Sequence, residues 1–133
     1  MAKTDYYSTL GEYKQTSEEK INNCIANISV ELVDKCLHSL KEGKACGPDD
    51  LCAEHLLYAH SSLVVYLTAL FKSILLHSYV PEKFGAVICI PLIKDKTGIT
   101  NDIDNYRIIT LSAVISKLFE LVLMSVCEDC FCC

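Results

Sequence analysis

The chain has 133 residues and a formal net charge of −5 at pH 7. That length suits one domain with a modest core, and a hydrophobic content of 51% excludes global disorder. The acidic balance excludes a general nucleic-acid surface, because phosphate binding relies on many Lys and Arg displacing counterions, so any such contact has to come from a local patch.

No apolar window reaches the roughly 20 residues of a membrane span. The best candidate, Leu63 to Leu76, is interrupted by Lys72, and no membrane association is expected. The N-terminal segment MAKTDYYSTL has no apolar centre of the kind a signal peptide carries. An intracellular location, cytoplasmic or nuclear, is the expectation. Nine cysteines invite a secreted disulfide scaffold, but the count is odd and no signal accompanies them. Cys36, Cys52 and Cys89 fall inside apolar patterns, where a small hydrophobe serves. Most of the cysteines are therefore expected to be reduced core thiols.

Residues 1–28 read as an N-terminal leader. Ser17-Glu18-Glu19-Lys20 resembles a helix start, with acids at the positive end of the dipole. Ser29 begins a firmer helix. Its hydroxyl is placed to cap free amides, and Val30, Val33, Leu37 and Leu40 recur at helical steps. Lys41 and Lys44 then fall near the negative end, with Gly43 suited to a left-handed C′ position. Cys46-Gly47-Pro48-Asp49-Asp50 predicts a tight turn, Asp49 capping a short helix from Leu51 to about His60. The paired aspartates also raise a metal reading, but a third ligand at suitable spacing is missing.

Ser61-Ser62 restarts a helix with a wide apolar face made by Leu63, Leu67, Leu70, Phe71, Ile74 and Leu75, broadened by Tyr66. It is expected to run to about Ser78, with Pro81 stopping it. The histidines at 38, 55, 60 and 77 share no helix face at the spacing a zinc pair uses. The run Ala86 to Ile93 is nearly all apolar and predicts a strand buried on both faces, with Pro91 restricted to an edge or bulge. A polar loop returns the chain to a second strand over Ile108 to Leu111, a long-looped antiparallel pair. Ser112 is then placed to cap a helix striped by Ile115, Leu118, Phe119 and Val122. The fold class is α+β: a helical N-terminal half, a small antiparallel strand pair and a C-terminal helix.

Lys94 ends the first strand, and Arg107, the chain's single arginine, opens the second. A planar guanidinium bonds phosphate oxygens in pairs and an ammonium adds point charge, so the two make a candidate anion grip. The competing reading is that both are solvated charges, partly cancelled by Asp95, Asp102 and Asp104.

Five segments occur in order: Gly43-Lys44-Ala45-Cys46-Gly47-Pro48-Asp49, Val80-Pro81-Glu82-Lys83-Phe84, Ile90-Pro91-Leu92-Ile93-Lys94, Asn105-Tyr106-Arg107-Ile108-Ile109-Thr110-Leu111-Ser112 and Ser116-Lys117-Leu118-Phe119-Glu120. Together they resemble the N-terminal fingers region of the reverse transcriptase of non-LTR (LINE or jockey-like) retrotransposons, over residues 29–126. The resemblance implies an RNA-directed DNA polymerase fold whose fingers strands lie over an incoming nucleotide. Lys94 and Arg107 match the positions that hold its triphosphate, while Tyr106 and Asn105 fix the strand start and loop. The family usually has proline at 46, glycine at 50 and proline at 108, where this chain has Cys46, Asp50 and Ile108.

The full-length family uses Mg²⁺ held by palm carboxylates downstream of this region. This chain reaches Cys133 without them, and no cofactor is expected for it. The resemblance thus implies a truncated retroelement fragment that does not polymerise alone, with at most weak affinity for nucleotide or nucleic acid. The alternative is a protein-interaction module, self-association included, built on apolar surface that the palm would otherwise cover. Residues 127–133 depart from the family. Their four cysteines raise a zinc or redox reading, but no second Cys or His pair closes a site. A degenerate end is expected there.

Overall fold

A computed structural model describes residues 17–98 and 100–131, with side chains as far as residue 128. The leader over 1–16, Cys132 and Cys133, and the side chain of Cys130 lie outside the described residues. The elements in chain order are helix α1 (17–27), α2 (Val30–His38), α3 (Ala53–Leu57), α4 (Ser62–His77), strands β1 (Val87–Ile93) and β2 (Tyr106–Ser112), and α5 (Val114–Phe131). This is the expected α+β arrangement: a helical region, an antiparallel hairpin and a C-terminal helix.

Ser29 caps α2 as expected, its hydroxyl accepting from the Leu32 N–H at 3.1 Å. The helix is shorter than its pattern suggests. Ser39 ends it, donating its N–H to the Lys35 and Cys36 carbonyls and its hydroxyl to the Cys36 carbonyl at 2.6 Å. Lys41, Gly43 and Lys44 therefore belong to a loop. Gly43 is left-handed (φ +69°), but in that loop and not at the helix end.

The turn after it forms as predicted. Asp50 takes the left-handed conformation (φ 56°), and its N–H reaches the Gly47 carbonyl at 3.1 Å. Gly47 packs so tightly that a Cβ there would lie 2.6 Å from the Ser112 carbonyl oxygen. The turn is thereby pressed against the junction of β2 and α5. Asp49 does not cap α3. Its carboxylate accepts from Leu51 N–H at 3.3 Å within the turn, while Cys52 holds the N-cap position and its own N–H donates to His55 Nδ1 at 3.0 Å. Cys52 is also no reduced core thiol, since it is joined to Cys46 in a disulfide across the turn. Cys36 is a buried thiol as expected, whereas Cys89 is exposed on β1.

α2 packs on α3, α4 and α5. Ile28, Val33, Phe71, Leu118 and Val122 are wholly enclosed between them. Phe71 and Phe119 stack tilted at 5.1 Å, and Phe84 meets Phe119 edge-on at 6.1 Å. The Ser116 hydroxyl donates to the Phe84 carbonyl at 2.8 Å, pinning the 3₁₀ turn Glu82–Phe84 to α5. Each apolar stripe is narrower than its sequence. α4 buries Val64, Leu67, Thr68, Phe71 and Ile74, leaving Leu70 and Tyr66 outward. Val30 likewise faces out, and Ile115 is half-buried. A helix touching neighbours on one side buries only the residues aimed at them. α4 ends at His77, beside the expected end near Ser78: Ser78 turns left-handed (φ 50°), and Tyr79 N–H returns to the Ile74 carbonyl at 3.2 Å.

The hairpin departs most from expectation. Among the described residues β1 pairs with β2 alone, in register Val87↔Ser112 through Ile93↔Tyr106, and every β1 residue is exposed. An apolar run with β-branched residues specifies a strand, but two strands bury neither face without an element stacked on them. The expectation of burial on both faces fails for that reason. β2 is longer than predicted and takes in Ser112, so Ser112 ends a strand and the first α5 carbonyl bond is accepted at Ala113.

Candidate anion-binding hairpin

The loop between β1 and β2 is built by side chains that replace ladder bonds. Lys94 N–H donates to the Asn105 carbonyl at 2.8 Å, extending the ladder one step past β1. The Asn105 side chain then closes the loop from within: its Oδ1 accepts from Asp95 N–H and its Nδ2 donates to the Asp95 carbonyl, both at 3.1 Å. Asp95 Oδ1 accepts from the Thr97 N–H at 2.9 Å and the Thr97 hydroxyl at 2.6 Å. Those two Thr97 donors, the hydroxyl foremost, hold the Asp95 carboxyl below its ordinary range. Gly98 sits where a Cβ would meet Asn105 Nδ2 at 2.8 Å, so a side chain there would press on the clamp. The Tyr106 hydroxyl donates to the Thr100 carbonyl at 2.8 Å, and Asp102 Oδ1 accepts from Asp104 N–H at 3.1 Å. Asn105 and Tyr106 thus fix the loop and strand start, as the sequence suggests.

That frame sets Lys94 and Arg107 together. Arg107 lies opposite Leu92 in the register, and Lys94 lies two residues beyond Leu92. Side chains alternate along a strand, so Leu92, Lys94, Arg107 and Ile109 share one face. They and Ile93 line a hollow of about 210 Å³. The Lys94 ammonium donates one hydrogen bond to the Asp104 carbonyl at 2.7 Å, which orients it and leaves two of its three donors for an anion. Among the described residues neither cation is in an ion pair with a carboxylate. The loop carboxylates Asp95 and Asp102 accept from neighbouring loop groups instead.

A second hollow of about 510 Å³ adjoins the first, with Ile109 on the wall of both. It brings Lys41 and Lys44, from the loop after α2, to Lys117 on α5. Sequence reasoning assigned the first two to a helix end and gave Lys117 no role. No local signal links residues so far apart in the chain; only the seating of the Gly47 turn against Ser112 does. The loop carrying Lys41 and Lys44 is tied to α3 by Glu54, whose Oε1 accepts from Gly43 N–H at 2.6 Å. That bond is the main reason the Glu54 carboxyl titrates below its ordinary value, helped by its own backbone N–H, while enclosure of Oε2 pulls the other way.

Among the described residues no three His, Cys, Asp or Glu side chains converge as metal ligands. Asp49, Asp95 and Asp102 each serve a local turn. The acids present therefore do not fit the paired-metal arrangement of a polymerase palm. Among the described residues no helix is long and apolar enough to cross a membrane.

No family model matches the chain. A stretch of 98 residues, 74% of the chain, is 26% identical to the "Retrovirus-related Pol polyprotein from type-1 retrotransposable element R1" of Bradysia coprophila. The chain spans about 10% of that polyprotein's length. Over most of its described fold, then, this chain is distantly similar to a retrotransposon Pol polyprotein.

Proposed function

We propose that the chain is a retroelement-derived, reverse-transcriptase-like fingers segment that does not polymerise by itself and whose hairpin keeps a polyphosphate-binding face. The observation that carries this reading is the placement of Lys94 and Arg107 on one face of the hairpin around one hollow. A guanidinium and an oriented ammonium supply several charge-assisted donors to phosphate oxygens. Lys41, Lys44 and Lys117 extend positive charge along the same side, where a nucleotide or a nucleic-acid backbone would follow. The similarity to a Pol polyprotein supports the assignment, and the five motif segments favour the LINE or jockey-like type.

The direct test is a titration of the ¹⁵N-labelled chain with inorganic tripolyphosphate. The amides of 107–109 and the Arg107 side-chain resonance are expected to shift, and Arg107→Ala is expected to abolish the shift at 108 and 109. No movement in the unsubstituted chain would overturn the anion site. Incubation with Mg²⁺, deoxynucleotides, primer and RNA template is expected to yield no extension; product would overturn the non-catalytic assignment.

A second reading, an interaction module, is favoured by the hairpin's exposure. Val87, Ile88, Leu92, Ile93 and Ile108 all present apolar surface to solvent. Gel filtration with light scattering decides between the two: a defined dimer supports self-association through this surface, and a monomer at high concentration counts against it.

A further inference from the structure

We propose that Cys24 and Cys127 form a redox-responsive disulfide clasping α1 to α5. Their Sγ atoms lie 3.7 Å apart although 103 residues separate them in the chain. Both side chains are half-buried, so a small thiol or disulfide reaches them from solvent. A disulfide has its sulfurs at about 2.05 Å, so a gap of roughly 1.7 Å remains to be closed.

The other described cysteines differ in a way that selects this pair. Cys36 is buried, with its Sγ 3.8 Å from the Ser125 hydroxyl, and is shielded from exchange. Cys89 is exposed on β1, away from the helices, and reacts as a single thiol. Cys46 and Cys52 are already joined.

The position matters because α1 is the least anchored helix described. Ile21 is 50% exposed, and the fully enclosed Ile28 lies just past the helix end. α5, by contrast, has buried residues along its length as far as Val126, the residue before Cys127. A bond from Cys24 to Cys127 ties the middle of a loosely held helix to the end of a firmly held one. It also closes a loop spanning most of the chain, the case in which a cross-link removes most freedom from the unfolded state.

The oxidant is a low-molecular-weight disulfide such as oxidised glutathione. One cysteine thiolate attacks it, forming a mixed disulfide and releasing one glutathione thiolate. The second cysteine thiolate then displaces the other. The two protons lost by the cysteines end on two glutathione thiols, so the protein is oxidised by two electrons and one glutathione disulfide is reduced.

The test equilibrates the full chain in reduced or oxidised glutathione, caps remaining thiols and maps peptides without reduction. A peptide joining Cys24 to Cys127 is expected in the oxidised sample alone, with the thermal midpoint raised by at least about 5 °C. Cys127→Ser is expected to lose both changes. If that variant does not fold, the peptide map of the unsubstituted chain decides. Stable glutathione adducts on both residues, pairing of either with another cysteine, or a cross-link that leaves the midpoint unmoved would each overturn the clasp.

Discussion

The helical core and the hairpin draw on nearly the same side chains and meet opposite fates. α4 and β1 are both dense in Val, Ile and Leu, yet Phe71, Leu67 and Ile74 are buried while every residue of Val87–Ile93 is exposed. The difference is neighbours. Each core helix has another helix against its apolar stripe, whereas the hairpin's principal partner is its own second strand. Apolar composition creates a demand for burial, and only an opposing surface meets it. What holds the hairpin in shape is accordingly polar: the Asn105 clamp, the Thr97 bonds to Asp95 and the Tyr106 hydroxyl.

Substitutions should separate the two regions sharply. The largest effect is expected in the core, where Phe71→Ala removes a ring wholly enclosed and stacked on Phe119. A loss of about 3–5 kcal/mol is expected from urea unfolding, enough to leave a small domain mostly unfolded. A loss under about 1 kcal/mol would mean that the helices are not packed as described. Next comes the seam between the regions. Gly47→Ala drives a Cβ to within 2.6 Å of the Ser112 carbonyl, and backbone cannot yield as a side-chain tip does. About 1–3 kcal/mol should be lost, and amide resonances of β2 and the start of α5 should move with it.

A far smaller effect is expected on the hairpin surface. Ile108→Ser, at a residue 70% exposed, should change unfolding stability by less than about 0.5 kcal/mol. If the same substitution lowers stability by several times that amount, the residue is covered in solution, and dilution of the unsubstituted chain should then reveal an oligomer. The smallest effect is acid sensitivity at the Gly43 loop. The folded Glu54 carboxyl titrates below its ordinary value near 4.5, so it binds its proton less readily than the unfolded chain does. Its stabilising contribution is therefore present above that pH and lost as pH falls through the lowered value. Glu54→Gln should flatten this part of the stability profile below pH 5, and an unchanged profile would remove Glu54 as its source.

Much of the architecture was legible because its signals are local. Ser29 before an apolar periodicity marks a helix start, Gly-Pro-Asp-Asp marks a turn, and a β-branched run marks a strand. Asn105 and Tyr106 were legible as loop-fixing residues through their position at a strand entrance. Misreadings fell where two local signals competed. Asp49 is as good an N-cap as Cys52 is poor, yet His55 supplied the acceptor one turn later and freed Asp49 for the turn. Ser39 closed α2 before Gly43 was reached. For the candidate site, the sequence pointed to Lys94 and Arg107 by residue type and placement at strand ends. It contained nothing to join Lys41, Lys44 and Lys117 to them.

By itself, the order of residues determined which segments become helix, turn and strand, because those choices depend on side chains within a few positions of one another. It did not determine the parity that sets Lys94 and Arg107 on one face, since the strands are joined by a long loop and their register is held by the Asn105 clamp on Asp95. Tertiary structure alone decided which apolar residues are covered, that Cys24 meets Cys127, and that a lysine-lined hollow continues the hairpin's. Those outcomes depend on contacts between segments far apart in the chain, and their free energy arises only when the segments dock.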